Sequence, residues 1–313
     1  MNISFEIPQL HAPSSIALGT FDGLHLGHRQ VVAAMLQSAQ QQDLQAWVFT
    51  FQNHPATVLR PTEVPPALTL WPEKITLLQN SYALDGIVLL AFDLALSEMS
   101  PEDFVTQILV QQMQIRHVSV GYNFRFGYQA RGDAMLLQRM GQELGFAVTV
   151  VPACKSAGDV VSSTRIRALL AQGQLEPALD LLAGQFLMQG EVVRGQGIAA
   201  KVLGVPTANL KLEQNQKLLP RKGVYACRVR LAGEAQYRDG VMNLGLRPTF
   251  NGQDLSLEVY ILDFSGEIYG QTLEVYLQAW LRPEQRFEGP EALKTQIHLD
   301  IEQARQRLQS CSM

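Results

Sequence analysis

The arrangement of apolar residues changes character once along the chain, near residues 183 to 188, and that change limits the folds open to it. Before it, short apolar runs alternate with helix-like stretches. SIALGTF reads as a strand running into a turn, HRQVVAAMLQSAQQQ as a helix with Val31, Met35 and Leu36 on one face, and AWVFTF as a strand. WPEKITLLQNSY is helical, DGIVLLAF is a buried strand, PEDFVTQILVQQM is helical from a proline in its first turn, and HVSVGYNF is again a strand. The helix GDAMLLQRMGQELG and the strand FAVTVVPA complete the series, and residues 163 to 182 read as one or two helices. Strand and helix alternating in this way predict a doubly wound α/β parallel sheet, whose ligand sites form at the carboxyl ends of strands.

After the change the chain is a run of strands parted by glycine and proline turns: GEVVRG, GVYACRVRL, GVMNLG, LSLEVYILDF and QTLEVYLQAWL. In LSLEVYI, Leu255, Leu257, Val259 and Ile261 share one face and Ser256, Glu258 and Tyr260 the other. Many short antiparallel strands predict a small antiparallel β-barrel domain, followed by a C-terminal helix over PEALKTQIHLDIEQARQRL. The expected division is a first domain over 1–185 and a second over 186–313.

With 313 residues, 47% of them hydrophobic, the chain can bury the cores of two ordinary domains. A net charge of −4 argues against a dedicated nucleic-acid binder. Cys154, Cys227 and Cys311 are scattered, form no CxxC pair and suggest neither a disulfide framework nor a zinc knuckle. MNISFEIPQLHAP has neither the basic nor the apolar segment of a signal peptide, and no apolar run reaches membrane-span length. The expectation is a cytoplasmic soluble protein with no membrane or nucleic-acid partner; its oligomeric state is not legible.

Residues 19–28, GTFDGLHLGH, place a glycine-rich turn between a strand and a helix. Backbone N–H groups at such a turn, together with the helix N-terminus, favour phosphate. His25 and His28 can donate hydrogen bonds to phosphate oxygens and match charge that builds up in phosphoryl transfer. An isolated HxGH is equally compatible with a plain turn, and H-x-x-H without a nearby Cys or Glu fits zinc poorly. Three further segments follow predicted strands: His54-Pro55 in FTFQNHPATVL, GYNFRFG with Asn123 and Arg125, and SSTRIR. In SSTRIR, Ser162, Ser163 and Thr164 can cap a helix, and Arg165 or Arg167 adds charge. Their common placement points to a nucleotide site. In the second half, VPTANL reads as a turn stiffened by Pro206, in which Thr207 and Asn209 present a hydroxyl and an amide oxygen, both hard oxygen donors.

In order and spacing, GTFDGLHLGH, the NHP turn, GYNFRFG and SSTRIR resemble the N-terminal module of the bacterial bifunctional riboflavin kinase/FMN adenylyltransferases, also called FAD synthetases. VPTANL, GVYACRV, NLGLRPTF, LEVYILDF and LRPEQRF resemble their riboflavin kinase module. The resemblance implies a transferase that uses ATP and Mg²⁺ to phosphorylate riboflavin to FMN with release of ADP. It then adenylylates FMN to FAD with release of pyrophosphate. It also implies catalytic roles for His25, His28, Asn123, Arg167 and Glu258, the last as base toward the ribityl hydroxyl. Nucleotide or flavin contacts are implied for Gly19, Phe21, Asp22, Gly23, His54, Ser163, Thr164, Gly195, Gly197, Lys201, Thr207, Asn209 and Arg282, with the metal on Thr207 and Asn209. One departure stands out: in GQGIAAKVLGVPTAN, Lys201 occupies the place of the family's arginine. The alternatives are an FMN adenylyltransferase with an impaired kinase domain, a nucleotidyltransferase for another phosphate acceptor, and a flavin-binding protein without turnover.

Overall fold

The computed structural model describes residues 1–194, 207–212, 216–231, 233–249 and 252–310. By its contacts the chain divides into two compact units, Met1–Ser163 and Thr164–Met313.

The first unit is built on six parallel strands: β1 (Asn2–Ser4), β2 (Ser14–Leu18), β3 (Gln45–Phe51), β4 (Gly86–Leu90), β5 (Ile115–Gly121) and β6 (Ala147–Val151). Their order in the sheet is β1-β4-β3-β2-β5-β6. β1 is absent from the sequence reading, because its three residues carry no apolar pattern; it pairs with β4 at the sheet edge. The longer helices are α1 (Leu26–Gln42), α2 (Trp71–Ser81), α3 (Pro101–Asp103, continuing over Phe104–Gln112 as a π-helix) and α4 (Ala134–Leu144). α1 buries Val31, Val32, Met35, Ser38 and Ala39. The stripe thus runs through Val32 and Ala39, and the expected Leu36 is only half-buried at its side. Apolar strands sandwiched by helices supply the core, with Ile16, Phe49, Val88 and Val118 each at most 1% exposed.

From β2 the chain steps outward through β3 to β4, then returns to the other side of β2 for β5 and β6. The carboxyl ends of β2 and β5 therefore flank the point where the winding reverses, the position at which open α/β sheets hold ligands. A polar line crosses the same strands. Ser15 Oγ lies 2.8 Å from His117 Nδ1, and His117 Nε2 lies 2.8 Å from Thr149 Oγ1. Burial lowers the His117 pKa from its ordinary 6.5 to about 4, so the ring is neutral.

The second unit begins with two helices, α5 (Ser163–Ala171, whose first residue belongs to the first unit) and α6 (Leu175–Leu181). Six antiparallel strands follow: β7 (Phe186–Val193), β8 (Ala208–Lys211), β9 (Gly223–Leu231), β10 (Arg238–Thr249), β11 (Gly252–Ile261) and β12 (Thr272–Arg282). They close a barrel in the order β7-β8-β11-β10-β9-β12. Helix α7 (Pro290–Ser310) packs on β9, β10 and β12. Its seat is built on three alanines, Ala226 and Ala279 of the strands against Ala304 of the helix, which let the two approach closely, with Leu308 packed beside them. Leu257, Val259 and Ile261 are buried as the alternation requires, but Leu255, at 41% exposure, is not part of the core. Asn209 lies in a strand where the sequence suggests a turn, because closing the barrel requires β8 between β7 and β11.

Candidate functional site

Four adjacent strands of the first unit, β3, β2, β5 and β6, lead into the four segments singled out in the sequence. Three follow their strands directly. The fourth, SSTRIR, is reached only after a small antiparallel ladder of Lys155–Ser156 with Asp159–Val160.

The turn after β2 is tightly wound. Phe21, Gly23 and Leu24 have φ of 48°, 87° and 42°, a left-handed run that strains the two non-glycine residues. Burial and hydrogen bonds hold it there. Phe21 and Leu24 are each 1% exposed, and a Cβ on Gly19 would lie 3.1 Å from the Phe21 ring, so Gly19 leaves room for that ring. Asp22 Oδ1 accepts the Thr69 N–H at 2.9 Å, and Thr69 Oγ1 accepts the Gly23 N–H at 3.0 Å. The Ser163 hydroxyl donates to the Asp22 carbonyl at 2.8 Å. Gly23, Asp22 and the Ser163 hydroxyl thus act on the shape of the turn, and Thr69 is a partner that the sequence reading missed.

His25 is the N-cap of α1, and its Nδ1 accepts the His28 N–H at 3.3 Å. Its ring proton therefore sits on Nε2, which makes Nε2–H a donor. The two imidazoles stack with centroids 3.6 Å apart and planes 13° apart, and the Phe21 ring meets His28 edge-on at 5.4 Å. Gly27 permits this stack: a Cβ there would lie 3.2 Å from His25 Cε1 and 3.6 Å from Cys154 Cβ. Burial lowers the His25 pKa to about 4, with its own backbone hydrogen bond and Asp22 opposing. Burial first, then the charges of His25 and Lys74, holds His28 well below its ordinary value. His28 Nδ1 is buried without a hydrogen-bond partner among the described residues. Both rings are neutral near pH 7, at a helix N-terminus whose dipole favours anions.

His54 Nδ1 accepts the Ala56 N–H at 3.1 Å. Its neighbour Asn53 holds the turn through Phe92, accepting from N–H at 2.8 Å and donating to the carbonyl at 2.9 Å. Asn123 is exposed at the carboxyl end of β5, in a loop stiffened by the Phe124–Phe126 stack with centroids 5.5 Å apart. Gly127 is required in that loop, since its φ is +70° and a Cβ would sit 2.6 Å from Pro101. Thr164, exposed, and Arg167, half-buried, lie in α5 beyond the division between the units.

In the barrel, Asn209 of β8 stands directly opposite Glu258 of β11. The carboxylate of Glu258 is held at both oxygens: Thr207 Oγ1 donates to Oε2 and Ser256 Oγ to Oε1, each at 3.3 Å. The alternation put Ser256 on the face of Glu258, and the structure makes it a partner of that carboxylate. A cavity of about 230 Å³ opens beside Thr207, walled by Val192, Val259, Ile261, Phe264 and Tyr269. Its size suits part of a ligand rather than the whole of one. Among the described residues no group of three or more His, Cys, Asp or Glu side chains gathers to hold a metal. The hydroxyl, amide and carboxylate oxygens of Thr207, Asn209 and Glu258 are hard donors of the type Mg²⁺ takes alongside phosphates. Arg282 lies elsewhere on the barrel. Its Nε and Nη2 grip the two oxygens of Asp300 at 2.7 Å each, which ties β12 to α7. Gly195, Gly197 and Lys201 lie outside the described residues.

Comparison with known proteins agrees with both halves. Residues 7–165 match the FAD synthetase family model and residues 182–308 the riboflavin kinase model. The chain is 34% identical to the bifunctional riboflavin kinase/FMN adenylyltransferase of Escherichia coli K12, over 93% of this chain and 91% of that one. It is 36% identical to the Pseudomonas fluorescens enzyme of the same name, over 94% and 93%. A crystal structure described as a macrolide-efflux protein from Streptococcus pneumoniae superposes with a TM-score of 0.83 at 26% identity, covering 97% of this chain and 99% of that one. No described helix is long and apolar enough to cross a membrane. The chain belongs to the bifunctional riboflavin kinase/FMN adenylyltransferase family.

Proposed function

We propose that this chain makes FMN from riboflavin and FAD from FMN, with ATP as co-substrate in both steps. Residues 1–185 carry adenylyl transfer and residues 186–313 the kinase reaction. The observation that carries the first assignment is the pair of neutral, stacked histidines at the N-terminus of α1, beside the reversal of the sheet.

In adenylyl transfer an oxygen of the FMN phosphate attacks the α-phosphorus of ATP, and the bond from that phosphorus to the leaving pyrophosphate breaks. The nucleophile is part of the substrate, so the protein positions and stabilises charge. His25 donates from Nε2–H to a phosphate oxygen, and His28 acts beside it. Asn123 and Arg167 orient phosphate groups and offset their charge. Gly19, Phe21, Asp22 and Gly23 shape the turn around the nucleotide, with His54, Ser163 and Thr164 as further ATP contacts.

In the kinase reaction Glu258 accepts the proton of the ribityl hydroxyl as that oxygen attacks the γ-phosphorus of ATP, and ADP leaves. The Thr207 hydroxyl donates a hydrogen bond to Glu258, so its oxygen lone pairs stay free to take a cation. Thr207 and Asn209 would hold Mg²⁺, which when bound offsets charge on the ATP phosphates. Gly195, Gly197 and Lys201 serve as phosphate contacts of this half, and Arg282 steadies the LRPEQRF segment on the flavin side.

The test is purified full-length chain with riboflavin, ATP and Mg²⁺, following FMN and FAD separately by chromatography. FMN that appears first and then converts to FAD supports both assignments. Riboflavin left untouched while added FMN becomes FAD removes the kinase assignment. No product from either flavin removes both.

A further inference from the structure

Lys74 has no place in the chemistry above, yet it is 6% exposed beneath the turn that carries both histidines. A buried lysine is rare unless its charge and all three protons are matched. Here each proton has an acceptor: Nζ donates to the Thr20 carbonyl at 2.8 Å, the Phe51 carbonyl at 2.8 Å and Thr50 Oγ1 at 3.3 Å. Thr50 Oγ1 itself donates to the Thr20 carbonyl at 3.0 Å. Thr20 lies in the turn that leads to His25 and His28. Phe51 ends β3, three residues before His54. One ammonium therefore joins the carboxyl ends of two neighbouring strands at the points where both site segments leave the sheet.

The start of α2 aims it there. The helix opens on Trp71 and Pro72, and the Glu73 side chain reaches back one turn so that Oε2 accepts the Leu70 N–H at 2.7 Å and fixes the first turn. With that register set, Lys74 faces the sheet. The groups whose charge acts on it, or which feel its charge, are Asp22 and His28, both on the histidine turn. The strands offer it carbonyl and hydroxyl oxygens.

We infer that Lys74 is a positioning residue for adenylyl transfer: its ammonium clamps the ends of β2 and β3 so that the histidine turn and the His54 turn are held in one fixed geometry. The inference rests on the assignment of adenylyl transfer to this site. Saturated by backbone and Thr50, Lys74 acts through the turns rather than on substrate. Burial lowers its pKa to about 8, so the clamp loosens at alkaline pH.

The experiment measures both reactions of the full chain in Lys74→Met, Thr50→Val and the wild type, between pH 6.5 and 9.5. The barrel reaction serves as an internal reference for a folded, competent chain. Lys74→Met is expected to lower kcat for FAD formation by about 10- to 100-fold, the scale of a misplaced reacting group, with riboflavin phosphorylation unchanged. Thr50→Val removes one acceptor and gives a smaller loss in the same direction. Wild-type FAD formation declines above about pH 8, and Lys74→Met lacks that decline. A Lys74→Met chain that makes FAD at the wild-type rate overturns the inference, as does an equal loss of both reactions. If Lys74→Met does not fold, wild-type FAD formation that is flat past pH 9 together with a fully active Thr50→Val overturns it. A wild type that makes no FAD from FMN and ATP overturns the underlying assignment instead.

Discussion

Replacing Gly27 by alanine separates the stability of α1 from the use of its N-terminus. Gly27 is the second residue of the helix, and alanine favours a helix over glycine by up to about 1 kcal/mol. The added methyl would meet His25 Cε1 at 3.2 Å and Nδ1 at 3.3 Å, closer than ordinary contact, so the ring must shift by a few tenths of an ångström. With the His28 ring 3.6 Å away the imidazole has little room, and its 3.3 Å bond from the His28 N–H is already long. Losing that bond costs about 1 kcal/mol, which roughly offsets the helix gain. Stability should therefore change by no more than about 1 kcal/mol in urea unfolding. FAD formation from FMN and ATP should fall by about 10- to 100-fold, or about 1.4–2.7 kcal/mol in the barrier, because Nε2–H no longer points at the phosphate. Riboflavin phosphorylation by the same chain should be unchanged. Gly27→Ala with wild-type FAD formation would refute the reasoning, because the stacked histidine geometry would then be irrelevant to the reaction.

Glu258→Gln keeps its contacts with Thr207 and Ser256 in reach but removes the proton acceptor; riboflavin phosphorylation should drop by about 10²- to 10⁴-fold while FMN is still converted to FAD, as read by chromatography. Asp300→Ala leaves Arg282 without its buried partner, and the barrel's unfolding transition should lose about 3–5 kcal/mol; an unchanged midpoint would mean that the pair does not tie α7 to β12. His117 stays neutral in the fold to about pH 4 but titrates near 6.5 when unfolded. Below pH 6.5 the unfolded chain takes up a proton that the folded one refuses, so stability falls toward pH 4 by about 3 kcal/mol and then levels off. Urea midpoints across this range should flatten in His117→Gln.

Much of the site was legible because the motifs are local. His25, Gly27 and His28 belong to one turn and one helix start, so their meeting needs no distant partner. Thr207 and Asn209 were legible as oxygen donors for the same reason. The residues that hold these groups were not. Thr69 reaches Asp22 across 47 residues, Lys74 reaches Thr20 across 54, and Asp300 meets Arg282 across 18. Nothing in WPEKITLL or in HLDIEQ marks a lysine or an aspartate as buried, since helical spacing alone leaves either on a solvated face.

The sequence by itself determined the two architectures, because the period of apolar residues settles whether a segment buries one helix stripe or one strand face. It also marked where the chain must turn tightly after β2 and β5, through glycines such as Gly23 and Gly127 whose positive φ those turns require. The tertiary structure alone decided the strand order that puts β2 beside β3 and β5, the placement of Ala208 and Asn209 in a barrel strand, and the neutrality of His25, His28 and His117. These depend on which side chains, far apart in the chain, exclude water from one another, and burial of that kind has no periodicity to read.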